Sequence, residues 1–175
     1  MPVRVLSNLV IAFAVILSSI PVFARPYKVR VSDPVAAAAL TAQGARLLAD
    51  YGSFQLFETV APPTAATLQR DRVESADESD FIELNAGPLD TRADAVKALR
   101  KAALPFAGRK LQLVQFIGPI KPEWRAALEQ TGVSVVHYVP QNAYLVRGDS
   151  AALTKFQAWA QTVDYLQWEG DYAND

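Results

Sequence analysis

Cysteine is absent from this chain of 175 residues, histidine occurs once, and methionine is found only at the start. Without cysteine there can be no disulfide, no thiolate metal site, no cysteine nucleophile and no lipidated amino-terminal cysteine. The formal net charge of −1 supplies no basic field for nucleic acid or for an anionic membrane surface. No GxSxG elbow, phosphate loop or HExxH pair is present. His137 lies in a strand-like run, where alternation places it on the face of Val135 and Val139 as a half-buried strand residue rather than a base. Gly148-Asp149-Ser150 sets a serine near an acid, but these residues also make a turn and a helix N-cap, with Ser150 able to cap. Asp71, Glu74, Asp77, Glu78 and Asp80 cluster without the glycine turn of a calcium loop and read as a solvated acidic loop. No catalytic residue, metal or cofactor is expected.

What the chain does have is apolar residues, 51% of the total, enough for a real core in one domain or two small ones. Met1 to Ala24 carries Arg4, an apolar run from Leu9 to Leu17 and a Val22-Phe23-Ala24 ending, the pattern of a cleaved secretory signal. The apolar run is shorter than the roughly 20 residues of a membrane span. Cleavage after Ala24 is therefore expected, with an exported chain, secreted or periplasmic, that starts at Arg25 and leaves the membrane.

Leu111 to Tyr172 organises the remainder. Leu111–Phe116 is a compact apolar run. Pro122 suits a first helical turn, Trp124, Ala127 and Leu128 share a helix face, and Gly132 stands where a left-handed C-terminal residue is wanted. Two strands, Val133–Val139 and Ala143–Arg147, flank the Pro140-Gln141-Asn142 turn. A helix from Ser150 with Leu153, Phe156 and Ala160 on one face follows, then a strand at Tyr165–Glu169. Upstream the order recurs: a strand at Tyr27–Val31, a helix from Asp33-Pro34 to Gly44, a hairpin around Gly52-Ser53, a short helix at Pro63–Arg70 and a strand at Asp80–Leu84. Aligning Gly44 with Gly132, and Leu56 with Leu145, suggests an internal duplication. Asp90 or Thr91 would cap a linker helix running to about Ala103. The expected fold class is α+β: two tandem ferredoxin-like βαββαβ sandwiches, residues 25–84 and 111–175, joined by a linker with a helix, 85–110, after a signal peptide, 1–24.

Alternation along the second set of strands puts Leu111, Leu113, Val133, Val135 and Leu145 on one face. It puts Val114, Phe116, Val136, Tyr138, Tyr144, Val146, Leu166 and Trp168 on the other. Helices cover one face, so the second set is expected to form an exposed interaction patch, unless the first copy or the linker covers it.

LVQFIGPIKPEW, NAYLVR and YLQWEGDY together resemble the amino-terminal prodomain of bacterial subtilisin-like serine proteases, and the upstream residues resemble the longer extension some such precursors carry. The resemblance implies an intramolecular chaperone and inhibitor whose partner is the subtilisin-like catalytic domain, in cis or in trans. The sheet face would pack on the protease, and a tail from Gly170, Asp171 and Tyr172 to Asp175 would lie in the substrate cleft. The triad-bearing segments of those proteases are missing here, so what the resemblance implies stops at the prodomain. The alternative is a stand-alone exported protein- or peptide-binding module.

Overall fold

A computed structural model describes residues 25–64, 72–100 and 105–172. The architecture is α+β, with two four-stranded antiparallel sheets and a two-stranded one. The predicted secretory segment 1–24, most of the predicted 63–70 helix, Asp71, the 101–104 end of the linker helix and the tail 173–175 lie outside the described residues.

The first sheet is built from β1 (Tyr27–Val31), β2 (Arg46–Asp50), β3 (Gln55–Thr59) and β4 (Val73–Ser75), in the order β2-β3-β1-β4. Between β1 and β2 runs α1 (Pro34–Ala42). Its start is fixed by the Asp33 carboxylate, which accepts from the Val35 N–H at 2.7 Å, and by Pro34 in the first turn. Its end is fixed by Gly44 at φ +83°, a left-handed conformation that costs glycine little. Val29, Val31, Ala37, Phe57 and Val73 form the core under α1.

The second large sheet contains β7 (Lys110–Phe116), β8 (Ser134–Val139), β9 (Ala143–Gly148) and β10 (Leu166–Asp171), in the order β10-β7-β9-β8. Counted within its own unit, this is the strand order of the first sheet. The repetition extends to detail, because β2 bulges between Leu47 and Ala49 and β8 between Val135 and His137. The residue passed over in each case, Leu48 or Val136, stands four positions after the positive-φ Gly44 or Gly132.

The helices α3 (Pro122–Glu129) and α4 (Ser150–Ala160) cover one face of this sheet. Trp124, Leu128, Leu153 and Phe156 pack there against Val114, Phe116, Val133 and Val146. Asp149, rather than Ser150, caps α4 by accepting from the Ala152 N–H at 2.9 Å.

Three expectations about the middle of the chain are corrected. The fourth strand of the first sheet is Val73–Ser75, inside the run read as a solvated acidic loop; with one apolar residue in three it has no periodicity to read. Phe81–Leu84 (β5) instead pairs with Gly87–Asp90 (β6) in a separate hairpin, closed by Asn85-Ala86 with Gly87 at φ +119°. The linker helix is reduced, among the described residues, to one turn, α2 (Asp94–Lys97). Asp90 and Thr91 do not start it: Asp90 accepts from the Arg92 N–H at 3.0 Å, and the Thr91 hydroxyl is buried, donating to the Asp80 carbonyl at 2.8 Å.

Candidate functional site

The β5–β6 hairpin and α2 form a strap across the helix-free face of the C-terminal sheet. Ile82, Leu84, Leu89 and Val96 pack on Leu111, Leu113, Val139, Ala143, Leu145 and Trp168, and the Trp168 indole donates to the Val96 carbonyl at 3.2 Å. Val114, Phe116 and Val146 are fully buried beneath α3 and α4, and Leu166 is half-buried with them. An open apolar face made of these residues does not exist.

Two bulges explain the misassigned faces. The one in β8 makes Val135 the cross-strand partner of Val146, and Tyr138 that of Tyr144, so all four lie on the helix-covered face. His137 keeps the expected face of Val139 and Leu145 but is parted from Val135, and it is exposed. The other, between Leu166 and Trp168, sends those two residues to opposite faces. The expected free tail is corrected too. Gly170 and Asp171 belong to β10, opposite Leu113 and Gln112, and the Tyr172 N–H donates to the Leu111 carbonyl at 3.1 Å.

Of the predicted partner residues, Asp171 is exposed on β10 at one edge of the sheet, and the apolar ones that reach solvent gather at β8, the other outer strand. Val136 is 49% exposed and Tyr138 52%, with half-buried Tyr144 alongside at 5.9 Å between ring centroids, in an edge-on arrangement. Arg125 of α3 stands 5.8 Å over the Tyr144 ring, held by its ion pair with Glu129 at 3.0 Å. The outer strands of the two large sheets otherwise carry charge: Arg46 and Asp50 on β2, Glu74 on β4, Glu169 and Asp171 on β10. Ser134–Val139 carries no Asp, Glu, Lys or Arg. A charge-free edge with exposed aromatic and β-branched side chains is chemically suited to accepting another extended segment, with the bulge limiting how much of it can pair. Among the described residues no three metal-ligating side chains converge, and no helix is long and apolar enough to cross a membrane.

The other notable cluster is buried, and sequence reasoning missed it. Lys28 lies in β1 with its ammonium 2.9 Å from Asp80 Oδ1, 2.9 Å from the Ile117 carbonyl and 3.2 Å from Ser79 Oγ, and it also donates to Gln167 Oε1. Burial pulls this lysine below its ordinary pKa of 10.5, against the attraction of Asp80. Asp80 Oδ2 takes Arg25 at 2.9 Å and Arg92 at 3.5 Å, while Arg92 reaches on to Glu58 at 2.6 Å. Beside them the Gln115 amide donates to the carbonyls of Ser79, Phe81 and Gln141, at 3.0, 2.7 and 2.9 Å, and its oxygen accepts from Gln167 at 2.9 Å. Removing one partner of such a buried pair costs about 3–5 kcal/mol, because the other charge stays buried alone. The only signal in the sequence was a lysine among alternating apolar residues of a strand.

The family described as "Domain of unknown function (DUF8729)" matches residues 83–173, just over half of the chain. The chain belongs to that family. No curated protein and no solved structure matches it. The family span takes in β6 to β10 with the strap's α2, hence the whole C-terminal sheet and the exposed β8 edge, but it begins after Lys28, Ser79 and Asp80.

Proposed function

We propose that the chain is an exported, non-catalytic module of the prodomain type, which binds and restrains a subtilisin-like serine protease. Both large sheets are read as ferredoxin-like sandwiches. The observation that carries the reading is the C-terminal unit: the element order strand-helix-strand-strand-helix-strand, the sheet order β10-β7-β9-β8 and two helices on one face. These coincide with the stretch of residues that resembles the prodomain family. Docking on the protease is assigned to the β8 edge with Val136, Tyr138 and Tyr144, since the strap occupies the helix-free face. The test is titration of the Arg25–Asp175 chain against a purified subtilisin-like protease with a chromogenic peptide substrate. Stoichiometric inhibition, weakened by Val136→Asp, is expected. The absence of both inhibition and binding across several such proteases would defeat the proposal.

A second reading, a stand-alone peptide-binding module, is favoured by the strap itself, which covers with this chain's own residues the surface a prodomain would offer to its enzyme. Retention of extended apolar peptides, sensitive to Val136→Asp, together with no effect on protease, would select it.

A further inference from the structure

Polar groups of the family span 83–173 find hydrogen-bond partners, donors and acceptors alike, that lie outside it. The Ile117 carbonyl and Gln167 Oε1 accept from Lys28, and the Gln115 amide donates to the Ser79 carbonyl. Apolar contacts cross the same boundary. Leu48, Ala49 and Tyr51 of the first unit pack into the cluster of Phe116 and Trp124, with the Tyr51 ring edge-on to Trp124 at 6.2 Å. Lys121 closes the seam, donating to the Asp50 carbonyl at 2.7 Å and lying 5.2 Å over the Tyr51 ring.

We propose that the C-terminal unit, together with the Asp77–Asp80 turn that leads into its strap, forms a built ammonium-binding site from Asp80, Ser79, the Ile117 carbonyl and Gln167, whose ligand is the Lys28 side chain. The N-terminal sheet is thereby its obligate intramolecular partner. The chemistry of the cradle is specific: Ser79 Oγ, the Ile117 carbonyl and Gln167 Oε1 accept from the three N–H groups of the buried ammonium, and Asp80 Oδ1 at 2.9 Å supplies the opposite charge. An apolar side chain there leaves the Asp80 carboxylate, fully buried, without its ammonium. Two units joined only by a linker would melt independently, whereas units pinned through this site melt together. The proposal does not depend on what the protein binds.

The test uses the whole Arg25–Asp175 chain in scanning calorimetry. The unaltered protein should give one transition. Lys28→Met, similar in length but unable to donate or carry charge, should lower the first melting by roughly 10 °C and split the transition in two. Lys28→Ala removes a fragment equal in size to n-propylammonium, so that salt should restore a large part of the loss, and tetramethylammonium at equal ionic strength, which has no N–H, should not. Should Lys28→Ala fail to fold, Gln167→Leu removes an acceptor from the other side and should also split the transition. Two transitions in the unaltered protein, an unchanged melting profile in Lys28→Met or Gln167→Leu, or equal rescue by both salts would overturn the proposal.

Discussion

Gly170→Ala tests the strap with one methyl group. Gly170 is buried in β10, and a Cβ placed there would stand 2.4 Å from Cζ2 and 2.5 Å from Cη2 of Trp168, where ordinary contact begins at 3.4 Å. The indole must therefore retreat by about 1 Å. It has little room to do so, being 3% exposed, and its N–H bond to the Val96 carbonyl is already 3.2 Å long. Overpacking of this kind costs about 1–3 kcal/mol, and loss of a hydrogen bond about 0.5–1.5 kcal/mol. The alanine returns roughly 0.4–1 kcal/mol by restricting the unfolded chain, since Gly170 does not hold a left-handed backbone. The net loss is about 0.5–4 kcal/mol, a fall of roughly 1–16 °C in Tm for a chain of this size. Thermal unfolding followed by tryptophan fluorescence measures it. The decisive control is the Trp168→Leu background, in which Gly170→Ala should cost next to nothing because the colliding ring is gone. Equal losses in the two backgrounds would show that the indole does not lie over Gly170, and that the strap is not seated as described.

Three further outcomes follow from the burial and electrostatics of named residues. Phe116→Ala should destabilise by about 3–5 kcal/mol in chemical denaturation while Tyr138→Ala costs under about 1 kcal/mol, since on the same sheet face Phe116 is wholly buried and Tyr138 half exposed; similar losses would contradict that difference in burial. Gln141 sits at φ +68° in the β8–β9 turn, so Gln141→Gly should raise stability by about 0.5–1 kcal/mol, read as a higher Tm, with its carbonyl still accepting from Gln115. Desolvation alone would raise the pKa of Glu58, but the hydrogen bonds and charges of Arg46 and Arg92 outweigh it and hold the carboxyl below its ordinary 4.5. A depressed folded-state pKa gives stability that is fully present above 4.5 and is lost as pH falls through the folded value, so Glu58→Gln should flatten the acid limb of a stability–pH curve without steepening it elsewhere.

Local chemistry made much of this fold legible. Asp33-Pro34 announces α1, Pro122 announces α3, and Gly44 and Gly132 mark the turns into β2 and β8, where both take positive φ. The site was less legible because it depends on events that leave no local trace. A bulge adds one residue to a ladder and inverts every face assignment beyond it, and nothing in Val135-Val136-His137 distinguishes a bulged strand from a straight one. Val73–Ser75 is a strand only because β1 is there to pair with it. The Lys28 cluster joins residues from 28 to 167, a separation at which neither periodicity nor motif speaks.

The repetition of the two sheets gives that cluster its meaning. With Leu56 matched to Leu145, the cross-strand pairs Lys28 with Glu58 and Leu111 with Arg147 become equivalent, so Lys28 occupies the position that Leu111 holds in the other sheet. Both side chains point to the helix-free faces, and those faces are covered differently: the apolar one by the strap, the one bearing Lys28 by the C-terminal unit. Two sheets with the same strand order and the same bulge present the chain with a choice of which face the strap should cover. Apolar contact alone discriminates poorly between similar surfaces, whereas a buried ammonium with no carboxylate opposite it is a several-kcal/mol error. A buried ion pair adds little net stability over a well-packed apolar pair. We therefore read Lys28 and Asp80 as the residues that forbid the exchanged arrangement, leaving the strap on the Leu111 face and β8 as the charge-free edge turned to solvent.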